Sequence, residues 1–124
     1  MPDYFRVGVV AQQRDVQDRP DYVRRALEGI VRSHRFGLDN RDVFIRYGVE
    51  QMGKDQEQME FLYDYEVQNR IVAPNAEIEQ RWVEVTQQVN LDAGTQPRML
   101  SFEETSDLRF QQQVIGTLGE YQWR

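Results

Sequence analysis

The sequence predicts one α+β domain, a mainly antiparallel sheet with two helices on one face, in the ferredoxin-like order β-α-β-β-α-β plus a C-terminal strand. Three observations carry that expectation. Val23, Ala26, Leu27, Ile30, Val31 and His34 recur at the spacing of one helical face. Residues 42–50 and 59–68 alternate apolar and polar side chains with period two, as strands with one buried face do. Gly53-Lys54-Asp55 supplies turn chemistry between them, which reads as an antiparallel hairpin.

The elements follow in order. Phe5, Val7 and Val9 share one face of a short first strand, and the polar stretch 12–18 reads as a loop. Pro20 suits the first turn of a helix and Gly37 its C-terminal cap, with Arg24, Arg25, Arg32 and Arg35 lying largely off the apolar stripe. In the hairpin, Val43, Ile45, Tyr47 and Val49 oppose Phe44, Arg46, Gly48 and Glu50. On its second strand, Met59, Phe61, Tyr63, Tyr65 and Val67 oppose an acidic wet face that holds Glu60, Asp64 and Glu66. Pro74-Asn75 opens a second helix with Asn75 as N-cap, Ile78, Trp82, Val85 and Val89 as its seam and Glu77–Arg81 as an i, i+4 pair. Residues 92–97 break that helix, 99–103 form a strand, and 110–121 form another interrupted at Gly116 and Gly119.

Composition bounds the function. A chain of 124 residues, 40% hydrophobic and 29% charged, is the size of one globular domain spanning 1–124. No apolar run reaches the roughly 20 residues needed to span a bilayer, and the first residues lack signal-peptide character, so a cytoplasmic setting is expected. The absence of cysteine excludes disulfides, thiolate metal sites and a cysteine nucleophile. A net charge of −6 argues against nonspecific nucleic-acid binding. That charge is uneven: residues 1–50 carry 9 basic and 8 acidic groups, residues 51–124 carry 6 and 13. Such asymmetry steers a partner of opposite charge or lets copies meet head to tail. Lys54 is the lone lysine; the arginine bias fits fixed interface contacts, and equally a GC-rich codon usage.

Reactive chemistry is sparse in the pattern. His34, the only histidine, reads either as a base or ligand or as a core-edge residue bonded to a carbonyl. Asp64 and Glu66 on one strand face would hold a hard cation or work as an acid/base pair, or simply be solvated. Ser33, Ser101 and Ser106 lack a nucleophile-elbow context, and no EF-hand or phosphate-loop spacing occurs. No cofactor and no metal are expected. Tyr121 and Trp123 form a terminal aromatic pair that docks on the domain's own sheet or on a neighbouring subunit. Gln111, Gln112 and Gln113 suit edge pairing with another chain.

Two resemblances add expectations. Met1-Pro2 followed by a strand, a helix and Val43-Phe44-Ile45-Arg46-Tyr47 resembles the tautomerase superfamily over about the first 50 residues. That resemblance implies Pro2 as an amino-terminal general base, its nitrogen tuned by an apolar pocket. The later hairpin, helix and strands are similar in element order to small phage tail-terminator and head–tail connector proteins, which implies ring assembly without an enzymatic site and a place in the virion.

The expectation that follows is a non-enzymatic subunit that packs against protein partners or copies of itself, as a homo-oligomer. Arg24, Arg25, Arg32 and Arg35 would meet the acidic Asp64 and Glu66 of a neighbour, with Tyr121 and Trp123 adding contacts. A tautomerase-like enzyme and an acidic regulatory module that binds a basic protein are the alternatives.

Overall fold

In the computed structural model, which describes residues 8–123, every regular element is a helix. They are α1 (Gln13–Asp18), α2 (Pro20–Asp39), α3 (Arg41–Met52), α4 (Gln56–Gln68), α5 (Gln80–Asp92), α6 (Phe102–Thr105) and α7 (Arg109–Leu118). The α+β, ferredoxin-like sheet expected from the alternating segments is therefore overturned. Residues 42–50, 59–68 and most of 110–121 are helical, and 99–103 is irregular chain running into α6. The stretch 12–18, read as a loop, is mostly α1. Of the expected first strand, Phe5 and Val7 lie outside the described residues and 8–10 carry no regular structure.

The alternation misled because the same residues also satisfy a helical row. Ile45, Gly48 and Met52 recur at i, i+3 and i+7, and Met59 and Tyr63 at i, i+4. Residues 56–68 are also rich in Gln, Glu, Met and Leu, which favour helix over strand. Gly53-Lys54-Asp55 is a stop and a start instead of a hairpin turn. Gly53 takes the left-handed conformation at φ 63°, its N–H and that of Lys54 (3.0 Å) reach the Gly48 carbonyl, and Asp55 caps α4 by accepting from Gln58 N at 3.1 Å.

α2 begins with Pro20 in its first turn as expected, but runs through Gly37 to Asp39 before Asn40 breaks the chain by one residue. Asn75 is not the cap of α5, which starts at Gln80 with Glu79 before it. The break after Asp92 is present.

Packing falls into three clusters. α7 lies on α2 and buries Val31, Phe110 and Val114; α3 and α4 form an antiparallel pair around Ile45, Gly48 and Met59; α6 rests on α5. A Cβ at Gly48 would come within 2.4–2.8 Å of three Met59 side-chain atoms, so glycine is what lets these two helices close. In the third cluster the buried Gln87 does the work of a strand neighbour. Its Oε1 accepts from Leu100 N and Gln96 Nε2 (both 2.7 Å) and its Nε2 donates to Leu100 O (3.1 Å).

This core is small for its chain. A compact monomer of 14.8 kDa exposes about 7,000 Å², whereas this chain exposes 9246 Å². With about 1,500 Å² set aside for the residues outside 8–123, an excess of roughly 700 Å² remains.

Candidate functional site

The α3–α4 pair decides which side chains of α4 face solvent. Met59 and Tyr63 turn inward, the Tyr63 ring lying tilted against Phe44 at 5.4 Å and its hydroxyl donating to the Leu38 carbonyl. Burial holds the Tyr63 phenol above its usual range. One or two positions further round the helix, Phe61 and Tyr65 point away from α3. Phe61 is 70% and Tyr65 49% exposed, and their rings stack on each other at 5.8 Å. Gln58, Leu62 and Asn69 extend the same uncharged, exposed stripe. The period-two reading had put Met59, Phe61, Tyr63 and Tyr65 on one buried face. At 100° per residue they divide into a core pair and a surface pair, which is why the ridge escaped notice.

The expected carboxylate pair divides in the same way, since residues two apart on a helix do not face each other. Asp64 receives a two-pronged bridge from Arg41, both bonds 3.0 Å, which lowers its carboxyl and raises the Arg41 guanidinium. Glu66 is half-buried elsewhere on the helix, and desolvation raises its carboxyl.

The four α2 arginines have separate fates. Arg24 and Arg32 both hold Glu28, at 3.1 and 2.8 Å, and lower its carboxyl, the Arg32 bond contributing most. Among the described residues Arg25 reaches the Asp21 carbonyl alone, at 3.4 Å. Arg35 ties two chain segments to α2. Its Nε donates to Pro74 O (2.9 Å) and its Nη2 to Asn75 Oδ1 (2.7 Å) and Gly119 O (2.8 Å), while its guanidinium lies 5.9 Å from the Tyr121 ring.

The same junction docks the C-terminal aromatic pair. Tyr121 N donates to Asn75 Oδ1 at 2.8 Å, its hydroxyl donates to Asp39 at 2.9 Å, and Trp123 packs edge-on against it beneath the Arg70 guanidinium. Arg35, Tyr121 and Trp123 are thus brought together; Arg24 lies on the same side of α2 about three turns earlier, Arg25 and Arg32 lie further round the helix, and Asp64 and Glu66 belong to α4. Asn75, misassigned as a cap, is the organising residue. His34 is exposed near the end of α2. Pro2 lies outside the described residues.

Two open grooves complete the surface. One, about 300 Å³, runs between α3 and α4 over Ile45 and Val49 with Arg46, Glu50 and Glu60 on its rim. The other, about 620 Å³, lies between α5 and α6 over Val85, Met99, Leu100 and Phe102. Among the described residues no three His, Asp or Glu side chains converge to hold a metal ion, and no helix is long and apolar enough to cross a membrane. The chain matches no family model, no curated protein and no solved structure.

Proposed function

We propose that this chain is a non-enzymatic assembly subunit that acts by packing against copies of itself or within a larger protein complex, of which a virion is one setting. The observation that carries this reading is the mismatch between core and surface. An excess of roughly 700 Å² exposed is about what one partner contributes to a standard interface, near 800 Å². The exposed surface includes a helix face with two stacked aromatic rings, residues favoured at the centres of interfaces. Aromatic rings held on a helix by their neighbours lose little freedom on docking, which makes them efficient anchors.

Sedimentation velocity of the intact chain at 1–100 μM, roughly the range in which such interfaces form, tests the reading. Species heavier than 14.8 kDa that grow with concentration are expected. A monomer throughout, with no complex in the presence of proteins from its host, refutes it. An acidic regulatory module is a second reading, favoured by the surplus of acidic groups in residues 51–124. It predicts instead a monomer whose binding to a basic protein weakens steeply with salt.

A further inference from the structure

We infer that the partner of the α4 ridge is α2 of a second copy, docked antiparallel, so that the chain assembles head to tail. This rests on the assembly reading above and names its two surfaces. The outward face of α2 is exposed along Tyr22, Arg25, Ala26, Gly29, Ser33 and Phe36. Tyr22 and Phe36, 54% and 56% exposed, stand at its ends, about 21 Å apart at 1.5 Å per residue. Between them the relief is low, and a Cβ added at Gly29 would meet nothing within 4 Å. The two α4 rings, Phe61 and Tyr65, stand about 6 Å apart along their helix, so they fit between the two aromatic posts.

Charge fixes the partner and the direction. On α2 the cations Arg25 and Arg32 flank this face on one side, nearer to it than Asp21 and Glu28 behind them; on α4 Glu57 and the Arg41-bridged Asp64 flank the ridge on the corresponding side. Facing helices bring corresponding flanks together only when antiparallel. A second α4 in that orientation would set acid against acid, whereas α2 sets arginine against acid. A single alignment places Arg32 beside Glu57, Arg25 beside Asp64, Gly29 beneath Phe61 and Ala26 beneath Tyr65. Among the described residues Arg25 makes one long backbone bond and Glu57 no ion pair, while Arg32 and Asp64 hold Glu28 and Arg41 of their own chain; in each intermolecular pair the uncommitted group therefore joins an existing ion pair. Because the two surfaces differ, the contact repeats and produces a ring or a filament.

Two variants of the full chain test this. Gly29→Glu has room in the single chain and keeps the α4 ridge; Phe61→Lys with Tyr65→Lys spoils the ridge and keeps the α2 face. Each alone is expected to sediment at 14.8 kDa with unchanged helical circular dichroism, its self-affinity at least 100-fold weaker than the parent's. Mixed, they should form a 1:1 heterodimer through the one intact pair of surfaces, weakening as salt rises. Ala26→Glu repeats the α2 block at a second exposed position. If the parent assembles and Gly29→Glu and Ala26→Glu assemble equally well, the α2 surface is refuted while the assembly reading stands. If both variants are monomers and their mixture stays monomeric, head-to-tail pairing is refuted. A monomeric parent refutes this pairing, and the assembly reading falls with it when proteins from the host form no complex either.

Discussion

Gly48 and Met59 form a pair whose coupling can be worked from the geometry. Replacing Gly48 by alanine places a Cβ 2.4 Å from Met59 Cε, 2.6 Å from Sδ and 2.8 Å from Cγ, where ordinary contact is about 3.5–4.0 Å. Met59 is only 6% exposed, and because Cγ is among the atoms struck, moving the end of the side chain does not relieve the clash. Overpacking of this kind costs about 1–3 kcal/mol, against a helix-propensity gain of about 1 kcal/mol. Gly48→Ala should therefore destabilise by about 0–2 kcal/mol. At Gly29 and Gly116, also in helix interiors but with open space, the same change should stabilise by about 0.5–1 kcal/mol. Met59→Ala alone removes buried volume and costs about 2–5 kcal/mol. In the double variant the new methyl occupies vacated space, so the two changes should couple favourably by about 1–3 kcal/mol. Urea denaturation followed by circular dichroism at a protein concentration common to all four chains measures the cycle. Strict additivity, or a Gly48→Ala chain as stable as Gly29→Ala, refutes the close α3–α4 crossing.

Further tests address the remaining junctions. Arg35→Met removes the donor shared by Pro74, Asn75 and Gly119; a loss of about 2 kcal/mol and faster hydrogen exchange at the Tyr121 amide are expected, and an unchanged amide refutes the docked tail. Gln87→Leu strips Leu100 of both its backbone partners and should destabilise by about 2–3 kcal/mol, which thermal unfolding reads directly. Glu66 titrates with an upward shift, so its favourable contribution is present below the unfolded value near 4.3 and lost as pH rises through the higher folded value. Glu66→Gln should accordingly match the parent near pH 3.5 and unfold at a higher temperature near pH 7; a constant difference across that range counts against burial. Asp64, Glu104 and Asp107 titrate in the opposite sense, each lowered by an arginine or a cap, so that they stabilise above their unfolded values and the benefit fades as pH falls.

Several local signals were in the sequence but were read through the wrong period. Ser101-Phe102-Glu103-Glu104 has the spacing of a capping box, and both halves form, Glu104 N to Ser101 Oγ at 3.2 Å and Ser101 N to Glu104 Oε2 at 2.8 Å. Gly53 followed two residues later by Asp55 is a helix stop and start. Taken with the Gln and Glu content of 56–68, these marks favour helices where alternation alone suggested strands. Asn75 carried no such mark, because its role is to satisfy Arg35 and the Tyr121 amide from 40 and 46 residues away.

The residue order by itself settled the long helix from Pro20, the interruption after Asp92 and the charge imbalance between the two parts of the chain, because each depends on neighbours within a turn or on a sum. Which way Phe61 and Tyr65 point, which arginine becomes a three-way staple and how much apolar surface remains uncovered were decided only in three dimensions. A side chain's direction follows from the period its backbone adopts, and that choice is made by packing between elements such as Gly48 and Met59, whose contact outweighs the weak local preference for either period.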